Sequence, residues 1–124
     1  MSKVPMIAIV DDDESFRRAT ASFVRSLGYG AVPFNSAEAF LTSERARDAD
    51  CLITDVQMPG MTGIELQGRL IEQGHRLPVI FITAFPEMKA RAQALAGGAI
   101  GFFAKPFDDQ GLIACLNEAL ARSG

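Results

Sequence analysis

The stretch Met6-Ile7-Ala8-Ile9-Val10-Asp11-Asp12-Asp13-Glu14 joins five apolar residues directly to four acidic ones. The apolar run predicts a buried β-strand, and the acidic side chains then stand at its carboxyl end. A second apolar run, Cys51-Leu52-Ile53-Thr54, ends in the same way at Asp55. Clustered carboxylate oxygens are ligands that Mg²⁺ prefers, with water and phosphate completing its shell. The two runs together indicate a Mg²⁺-dependent phosphoryl site, although the acidic run taken alone could equally cap a following helix.

The composition is that of a single globular domain, which we expect to span residues 1–124. A net charge of -3 argues against direct nucleic-acid binding by this segment. No apolar run reaches membrane-spanning length and no signal-peptide core is present, so no membrane association is expected. The two cysteines, Cys51 and Cys115, lie far apart in apolar segments, which favours reduced thiols in a cytoplasmic protein. The single histidine, His75, falls in an expected loop, so a histidine-based site is not predicted.

Strand-like and helix-like segments alternate along the chain. Ser36 is an expected helix N-cap, and two of the later helices are predicted at Ile64–Gln73 and Glu87–Leu95. The expected strands are Met6–Val10, Ala31–Phe34, Cys51–Thr54, Val79–Thr83 and Ile100–Ala104. Five β-then-α units with continuously apolar strands predict an α/β fold in which helices cover both faces of a parallel sheet. Such sheets bind ligands beyond the carboxyl ends of their strands.

Four motifs follow one another at characteristic spacing. They are Val10-Asp11-Asp12-Asp13, Thr54-Asp55-Val56-Gln57-Met58-Pro59-Gly60-Met61-Thr62-Gly63, Ile82-Thr83-Ala84 and Phe102-Phe103-Ala104-Lys105-Pro106-Phe107. Over essentially its whole length, the chain resembles the receiver domain of bacterial two-component response regulators. The segment Ser36-Ala37-Glu38-Ala39-Phe40-Leu41 and the ending Lys105-Pro106-Phe107 are most similar to the FixJ-type subfamily of nitrogen-fixation regulators. The resemblance implies a flavodoxin-like, doubly wound (βα)5 sandwich whose five-stranded parallel sheet has the order 2-1-3-4-5.

The resemblance also implies the roles of the acidic residues. Asp55 is expected to be the phosphoacceptor, which takes a phosphoryl group from a phosphohistidine on a sensor histidine kinase. The metal ligands are expected to be Asp11, Asp12, Asp55 and the backbone carbonyl of Gln57, and the metal Mg²⁺, with Mn²⁺ as a substitute. Because clustered carboxylates repel one another without a cation, at least one of them should have a raised pKa.

Four further residues are assigned by the same resemblance. Lys105 should form an ion pair with Asp55 and then with a phosphoryl oxygen. Pro106 should follow a cis peptide bond that fixes the direction of that lysine. Thr83 should hydrogen-bond the phosphoryl group through its hydroxyl, and Phe102 should turn inward when the threonine moves. Phe102 also fits an ordinary strand residue in contact with the core.

Two features of the sequence allow other interpretations. Phe85-Pro86 stands where many members of the family carry polar or small residues. The Phe85 ring could hinder a hydrolytic water, or it could simply lie on the surface. The spacing Asp11-x-Asp13 superficially fits a phosphatase of the haloacid dehalogenase type. Asp13 and Glu14 are better explained as the N-cap and first turn of the first helix.

We therefore expect a phosphorylation-controlled switch rather than a turnover enzyme, with slow autodephosphorylation as its only hydrolytic reaction. The expected output is transcriptional, through a DNA-binding domain beyond residue 124 or through a partner. The expected readout is a phosphorylation-dependent homodimer formed through helix 4, strand 5 and helix 5. A haloacid-dehalogenase-type phosphatase and a receiver-like interaction module that is not phosphorylated are the alternatives.

Overall fold

A computed structural model describes residues 4–123, which form one five-stranded parallel sheet flanked by helices. The strands are β1 (Met6–Val10), β2 (Gly30–Phe34), β3 (Cys51–Thr54), β4 (Val79–Thr83) and β5 (Gly101–Ala104). The α-helices are α1 (Glu14–Ser26), α2 (Ala37–Thr42), α3 (Gly63–Glu72), α4 (Met88–Ala96) and α5 (Asp109–Ser123). Residues 1–3 and 124 of the expected domain lie outside the described residues.

The strands run in the order β2-β1-β3-β4-β5, which confirms the predicted doubly wound fold. All four pairings are parallel, and Val10 at the end of β1 lies opposite Thr54 at the end of β3. The order of the sheet reverses between these two strands, so the residues that follow them meet at its carboxyl edge. Pro33 lies in β2, where an edge strand tolerates the missing backbone donor.

Two apolar cores lie on opposite faces of the sheet because successive strand residues point to opposite sides. Ala8 and Val10 face one core, whereas Ile7 and Ile9 face the other. Helices α2, α3 and α4 supply Phe40, Leu66, Leu70 and Ala94 to the first core. Helices α1 and α5 supply Ala21, Val24, Leu112, Leu116 and Ala119 to the second. Every residue of β3 and β4 is buried, as expected for strands covered on both faces.

Side-chain caps define where the helices begin. Asp13 accepts a hydrogen bond from the Phe16 N–H at 3.3 Å, and Ser36 accepts one from the Ala39 N–H at 3.0 Å. Both were predicted as N-caps. Thr62 and Glu65 form a reciprocal capping box at α3, with N···O distances of 2.9 and 3.1 Å.

The boundaries of four elements differ from the prediction by one residue. Strand β2 begins one residue earlier and β5 one residue later, while α3 begins and ends one residue earlier and α4 begins and ends one residue later. The capping box places the start of α3 at Gly63 rather than Ile64. A 3₁₀ helix at Glu44–Asp48 was missed, because a single polar turn carries no apolar periodicity.

Neither Cys51 nor Cys115 forms a disulfide bond, as predicted from their separation in the sequence. Burial raises the pKa of the Cys51 thiol to about 12, so this group is protonated at neutral pH. None of the helices among the described residues combines the length and the apolar character needed to cross a bilayer.

Candidate functional site

The predicted site residues meet at the carboxyl edge of the sheet. Backbone hydrogen bonds continue past the strand ends, from the Asp11 N–H to the Phe34 carbonyl and from the Asp55 N–H to the Val10 carbonyl, both at 3.1 Å. A similar bond runs from the Lys105 N–H to the Thr83 carbonyl at 2.9 Å. Each of these residues is therefore placed by the sheet rather than by a free loop, which fixes the site geometry.

Lys105 forms the centre of the site. Its Nζ lies 2.9 Å from Asp11 Oδ2 and 3.1 Å from Asp55 Oδ2, so one ammonium bridges two carboxylates. The Asp11 and Asp55 side chains are only 2% and 7% exposed, whereas that of Lys105 is 15% exposed. The peptide bond between Lys105 and Pro106 is cis, as predicted.

The three carboxylates of Asp11, Asp12 and Asp55 converge. One oxygen from each lies within 4.8 Å of the others, which matches the donor set expected for a hard divalent cation. Burial raises the pKa of Asp11 above its ordinary value of 3.8, and the charge of Asp55 adds to that effect. The Asp13 N–H and the Lys105 ammonium offset it in part. A raised pKa within this cluster was predicted from repulsion between the carboxylates, but burial is the larger cause. A bound cation would oppose both effects because it favours the charged carboxylate.

Lys105 shows the opposite balance. Burial alone would lower its pKa, but the hydrogen bonds and charges of Asp11 and Asp55 outweigh that effect and raise the pKa above 10.5. The pKa shifts of Asp11 and Lys105 both include the effect of the ion pair between them. Asp11 is the more deeply buried partner, so desolvation dominates for the carboxyl group, whereas attraction dominates for the ammonium.

Asp55 is held in place on several sides. The Gln57 N–H donates to Asp55 Oδ1 at 3.2 Å, and the Thr54 hydroxyl donates to the Asp55 carbonyl at 3.0 Å. The backbone of Gly63 packs directly against Asp55. A Cβ atom at this position would collide with the Asp55 carbonyl oxygen and lie 3.1 Å from the Phe81 ring. The absence of a side chain at Gly63 therefore lets α3 start directly against the end of β3, beside Asp55.

The residues assigned to switching occupy the neighbouring strands. Thr83 is fully buried, and its hydroxyl oxygen accepts a hydrogen bond from the Phe85 N–H at 3.2 Å. Phe102 is partly buried and contacts Phe81, with ring centroids 6.1 Å apart. The Phe85 side chain is 63% exposed, which favours the surface interpretation over a shield for the site.

Asp12 and Gln57 are exposed, and the converging carboxylates are those of Asp11, Asp12 and Asp55, whereas Asp13 caps α1. Its Oδ1 accepts the N-cap hydrogen bond of α1, and Glu14 lies in the first turn, as predicted. This geometry gives Asp11 and Asp13 separate roles, one in the carboxylate cluster and the other as a helix cap. The phosphatase alternative therefore loses the one feature that suggested it.

Three neighbours of the site were not predicted. The Phe16 ring lies against Lys105, with its centroid 4.3 Å from Nζ. The Arg17 Nη1 donates to the Asp11 carbonyl at 2.8 Å. Glu38 Oε2 accepts a hydrogen bond from the Met61 N–H at 3.1 Å and so ties α2 to the loop beyond Asp55. In the sequence, Phe16 fits the apolar face of an amphipathic helix and nothing more, and Arg17 and Glu38 give no separate signal.

With this geometry established, comparison with known proteins identifies the family. The profile described as the response regulator receiver domain matches residues 7–117. The chain belongs to this family. It is 41% identical over 115 residues to the response regulator protein TmoT of Ectopseudomonas mendocina, and 36% identical over 117 residues to the transcriptional regulatory protein FixJ of Azorhizobium caulinodans. These matches cover 93% and 94% of the chain but only 52% and 56% of those relatives, so the chain spans about half their length.

Solved structures agree with this placement. The crystal structure of FixJ-N is 33% identical, covers 98% of this chain and 96% of its own, and has a TM-score of 0.85. Response regulator StyR is 36% identical, with a TM-score of 0.88 over 98% of this chain and 61% of its own. The FixJ-type character expected from the Ser36–Leu41 segment is thereby confirmed. The chain is a two-component receiver domain, and its family's general function is to be phosphorylated by a kinase.

Proposed function

We propose that Asp55 accepts the phosphoryl group from a phosphohistidine of a sensor histidine kinase. The observation that supports this assignment is the buried Asp55 carboxylate, held by the Lys105 ammonium at 3.1 Å and the Gln57 N–H at 3.2 Å. In the transfer, an Asp55 carboxylate oxygen attacks phosphorus and the bond from phosphorus to the histidine nitrogen breaks. The imidazole leaves with the electron pair of that bond and takes up a proton, and an aspartyl phosphate remains.

The metal site is assigned to Asp11, Asp12, Asp55 and the backbone carbonyl of Gln57, with Mg²⁺ as the ion and Mn²⁺ as a substitute. The convergence of three carboxylates and the raised pKa of buried Asp11 support this assignment. When bound, the ion supplies positive charge against the transferring phosphoryl oxygens. Asp12 is the more accessible ligand, and Asp11 orients the Lys105 ammonium at the same time.

Lys105 and Thr83 would respond to the phosphoryl group. The Lys105 ammonium moves from an Asp55 oxygen to a phosphoryl oxygen, which is a stronger anionic acceptor. The Thr83 hydroxyl leaves the Phe85 N–H and donates to the phosphoryl group, which releases the backbone after β4. Phe102 then turns further into the space beside Phe81.

The readout is a homodimer formed through α4, β5 and α5 once Asp55 is phosphorylated. Helix α4 supports this because Ala94 is its only fully buried residue among those described. Near its start, Met88 is 87% exposed and Phe85 is 63% exposed. A weakly anchored helix beside the site is suited to move at low cost in free energy.

The output is transcriptional, exerted by a further domain or a partner, and the protein acts in the cytoplasm. The relatives named as transcriptional regulatory proteins, and the half of their length that this chain does not span, support this proposal. Hydrolysis of the aspartyl phosphate would be slow and intrinsic, without turnover of other substrates. The kinase, rather than the receiver, determines the signal.

Acetyl phosphate with Mg²⁺, followed by intact mass spectrometry, tests the phosphoacceptor. The wild type should gain the mass of one phosphoryl group, Asp55→Asn should gain none, and Asp13→Asn should behave as the wild type. Asp13→Asn is the matched control because it makes the same substitution in the acidic run that contains Asp11 and Asp12, and asparagine can still cap α1. Modification of Asp55→Asn, or none of the wild type, would refute the proposal, and the latter would favour an unphosphorylated interaction module.

Two further measurements test the metal and the dimer. Asp12→Ala should weaken Mg²⁺ binding, and an unchanged affinity would remove Asp12 from the ligand set. Analytical ultracentrifugation should show a monomer that dimerises when beryllofluoride and Mg²⁺ are added. A protein that stays monomeric with beryllofluoride bound would exclude this dimer for the isolated domain.

Lys105→Ala tests the coupling of the two events. The variant should still gain the phosphoryl group in the mass assay but should fail to dimerise with beryllofluoride. Normal dimerisation of Lys105→Ala would contradict the role given to Lys105.

A further inference from the structure

The ammonium of Lys105 has an aromatic neighbour as well as its two carboxylates. Its Nζ lies 4.3 Å from the centroid of the Phe16 ring, within the range of a cation–π contact. The same Nζ is 2.9 Å from Asp11 Oδ2 and 3.1 Å from Asp55 Oδ2. The lysine side chain is only 15% exposed, so little water screens these contacts.

We propose that Phe16 is a positioning residue for Lys105, which keeps the ammonium at the site while its anionic partners change. The inference rests on the proposed transfer of a phosphoryl group to Asp55. A lysine is a compact charge on a flexible four-carbon stem, so it needs a restraint that outlasts any single ion pair. The ring of Phe16 is neutral and neither gains nor loses a proton or a phosphoryl group during the reaction. The ring therefore still attracts the ammonium after its contact with Asp55 is given up, and it restrains the ammonium more strongly in the phosphorylated domain, where that carboxylate no longer shares the task.

The Phe16 ring is itself fixed by a cluster of three phenylalanines. Phe16 and Phe107 meet edge to face, with ring centroids 6.1 Å apart and an interplanar angle of 87°. Phe107 in turn contacts Phe23, which lies two turns beyond Phe16 on the same face of α1, with ring centroids 5.4 Å apart. The cluster joins α1 to the segment just after Lys105, so the ring that faces the ammonium has a defined orientation.

A purely structural role for Phe16 predicts different behaviour from a cation–π role. An apolar side chain of similar size would preserve core packing but would not attract a cation. Phe16→Leu removes the ring, and fluorinated phenylalanines at position 16 keep its shape while weakening the negative face step by step. Phe23→Leu is the matched control, because Phe23 lies on the same helix and contacts the same Phe107 ring, whereas Phe16 makes the cation–π contact with Lys105.

The affinity of the domain for beryllofluoride in the presence of Mg²⁺ measures the effect on the phosphoryl-like state. Phe16→Leu should weaken this affinity about five-fold, which corresponds to about 1 kcal/mol. Phe23→Leu should leave it within about two-fold, an allowance of about 0.4 kcal/mol. Mono-, di- and trifluorophenylalanine at position 16 should give a stepwise loss. Equal effects of the two leucine variants, or a flat fluorine series, would overturn the proposal.

A second readout needs neither metal nor phosphoryl mimic. The ring current of Phe16 should shift the side-chain protons of Lys105 in the NMR spectrum of the free domain. Phe16→Leu should abolish the shift and Phe23→Leu should preserve it. Unshifted Lys105 protons in the wild type would overturn the inference even if beryllofluoride binds. Shifted protons in a wild type that does not bind beryllofluoride would refute the proposed function, and with it the role of Phe16 toward the phosphoryl group.

Discussion

Replacing Lys105 by methionine removes the only cation that the described residues place between two buried carboxylates. Methionine keeps most of the apolar stem, so the change isolates the charge from the packing. In this variant, Asp11 and Asp55 would face each other without the ammonium that now bridges them at 2.9 and 3.1 Å. The variant should be destabilised, but only as long as no other cation enters the site.

The magnitude follows from the burial of the three groups. Removing one partner of a fully buried ion pair costs about 3–5 kcal/mol, because the remaining charge is left uncompensated. Lys105 is 15% exposed, so water can partly solvate the site that it vacates. Proton uptake by Asp11, whose pKa is already raised, relieves part of the remaining repulsion. We therefore expect a loss of about 2–3 kcal/mol, which a domain of ordinary stability, about 5–15 kcal/mol, survives folded.

Urea unfolding with a chelator and with saturating Mg²⁺ provides the assay. Mg²⁺ binds the folded state, so it should stabilise both proteins, and more strongly the variant whose carboxylates carry no competing ammonium. The difference in unfolding free energy between wild type and Lys105→Met should shrink by at least half when Mg²⁺ is added. Lys89→Met, a change at an exposed position on α4, should leave the unfolding free energy unchanged in both conditions. A loss that is equal with and without Mg²⁺ would refute the idea that lysine and metal share these oxygens.

Gly63→Ala should destabilise the fold by about 1–3 kcal/mol or more, because its Cβ meets the Asp55 backbone. Gly68→Ala on the same helix has open space and should stabilise by about 0.5–1 kcal/mol; thermal unfolding that ranked them otherwise would count against this geometry. Gln67→Leu removes the 3.0 Å bond to the Ala94 carbonyl and should speed hydrogen exchange at the end of α4 about five-fold, whereas unchanged exchange would show that the bond does not anchor α4. The raised pKa of Asp11 contributes stability below pH 3.8 that is lost as the pH rises through that pKa. Without metal, Asp11→Asn should therefore gain stability over the wild type across this window, and a constant difference in urea midpoints would contradict the shift.

The parts of the site that the sequence predicts are those that backbone topology places. Asp11, Asp55, Thr83 and Lys105 each follow or end an apolar strand, and parallel strands present these ends at one edge. Once the strands are recognised, these four residues can be placed at one edge of the sheet without knowledge of their side-chain conformations. This explains why strand limits and site residues were predicted together.

The parts that were missed depend on side chains that cross between elements. Phe16 reaches Lys105, Glu38 reaches the Met61 N–H, and Gln67 reaches the Ala94 carbonyl. Each contact joins residues remote in sequence, and its geometry follows from helix rotation and rotamer choice. Hydrophobic periodicity assigned Phe16 to the buried face of α1 but could not distinguish a core contact from a contact with a cation.

The bridging lysine also bears on how such a site can be both stable and ready to react. Two buried carboxylates repel each other unless a cation lies between them. The Lys105 ammonium offsets that repulsion from 2.9 Å at Asp11 and 3.1 Å at Asp55, while a cation at the acidic cluster would do so from the Asp11 and Asp12 side. The Lys105 charge lies at the end of a four-carbon stem, so it can follow a phosphoryl oxygen without leaving the site. The geometry thus places the stabilising charge of the resting domain where the phosphorylated domain would also need it.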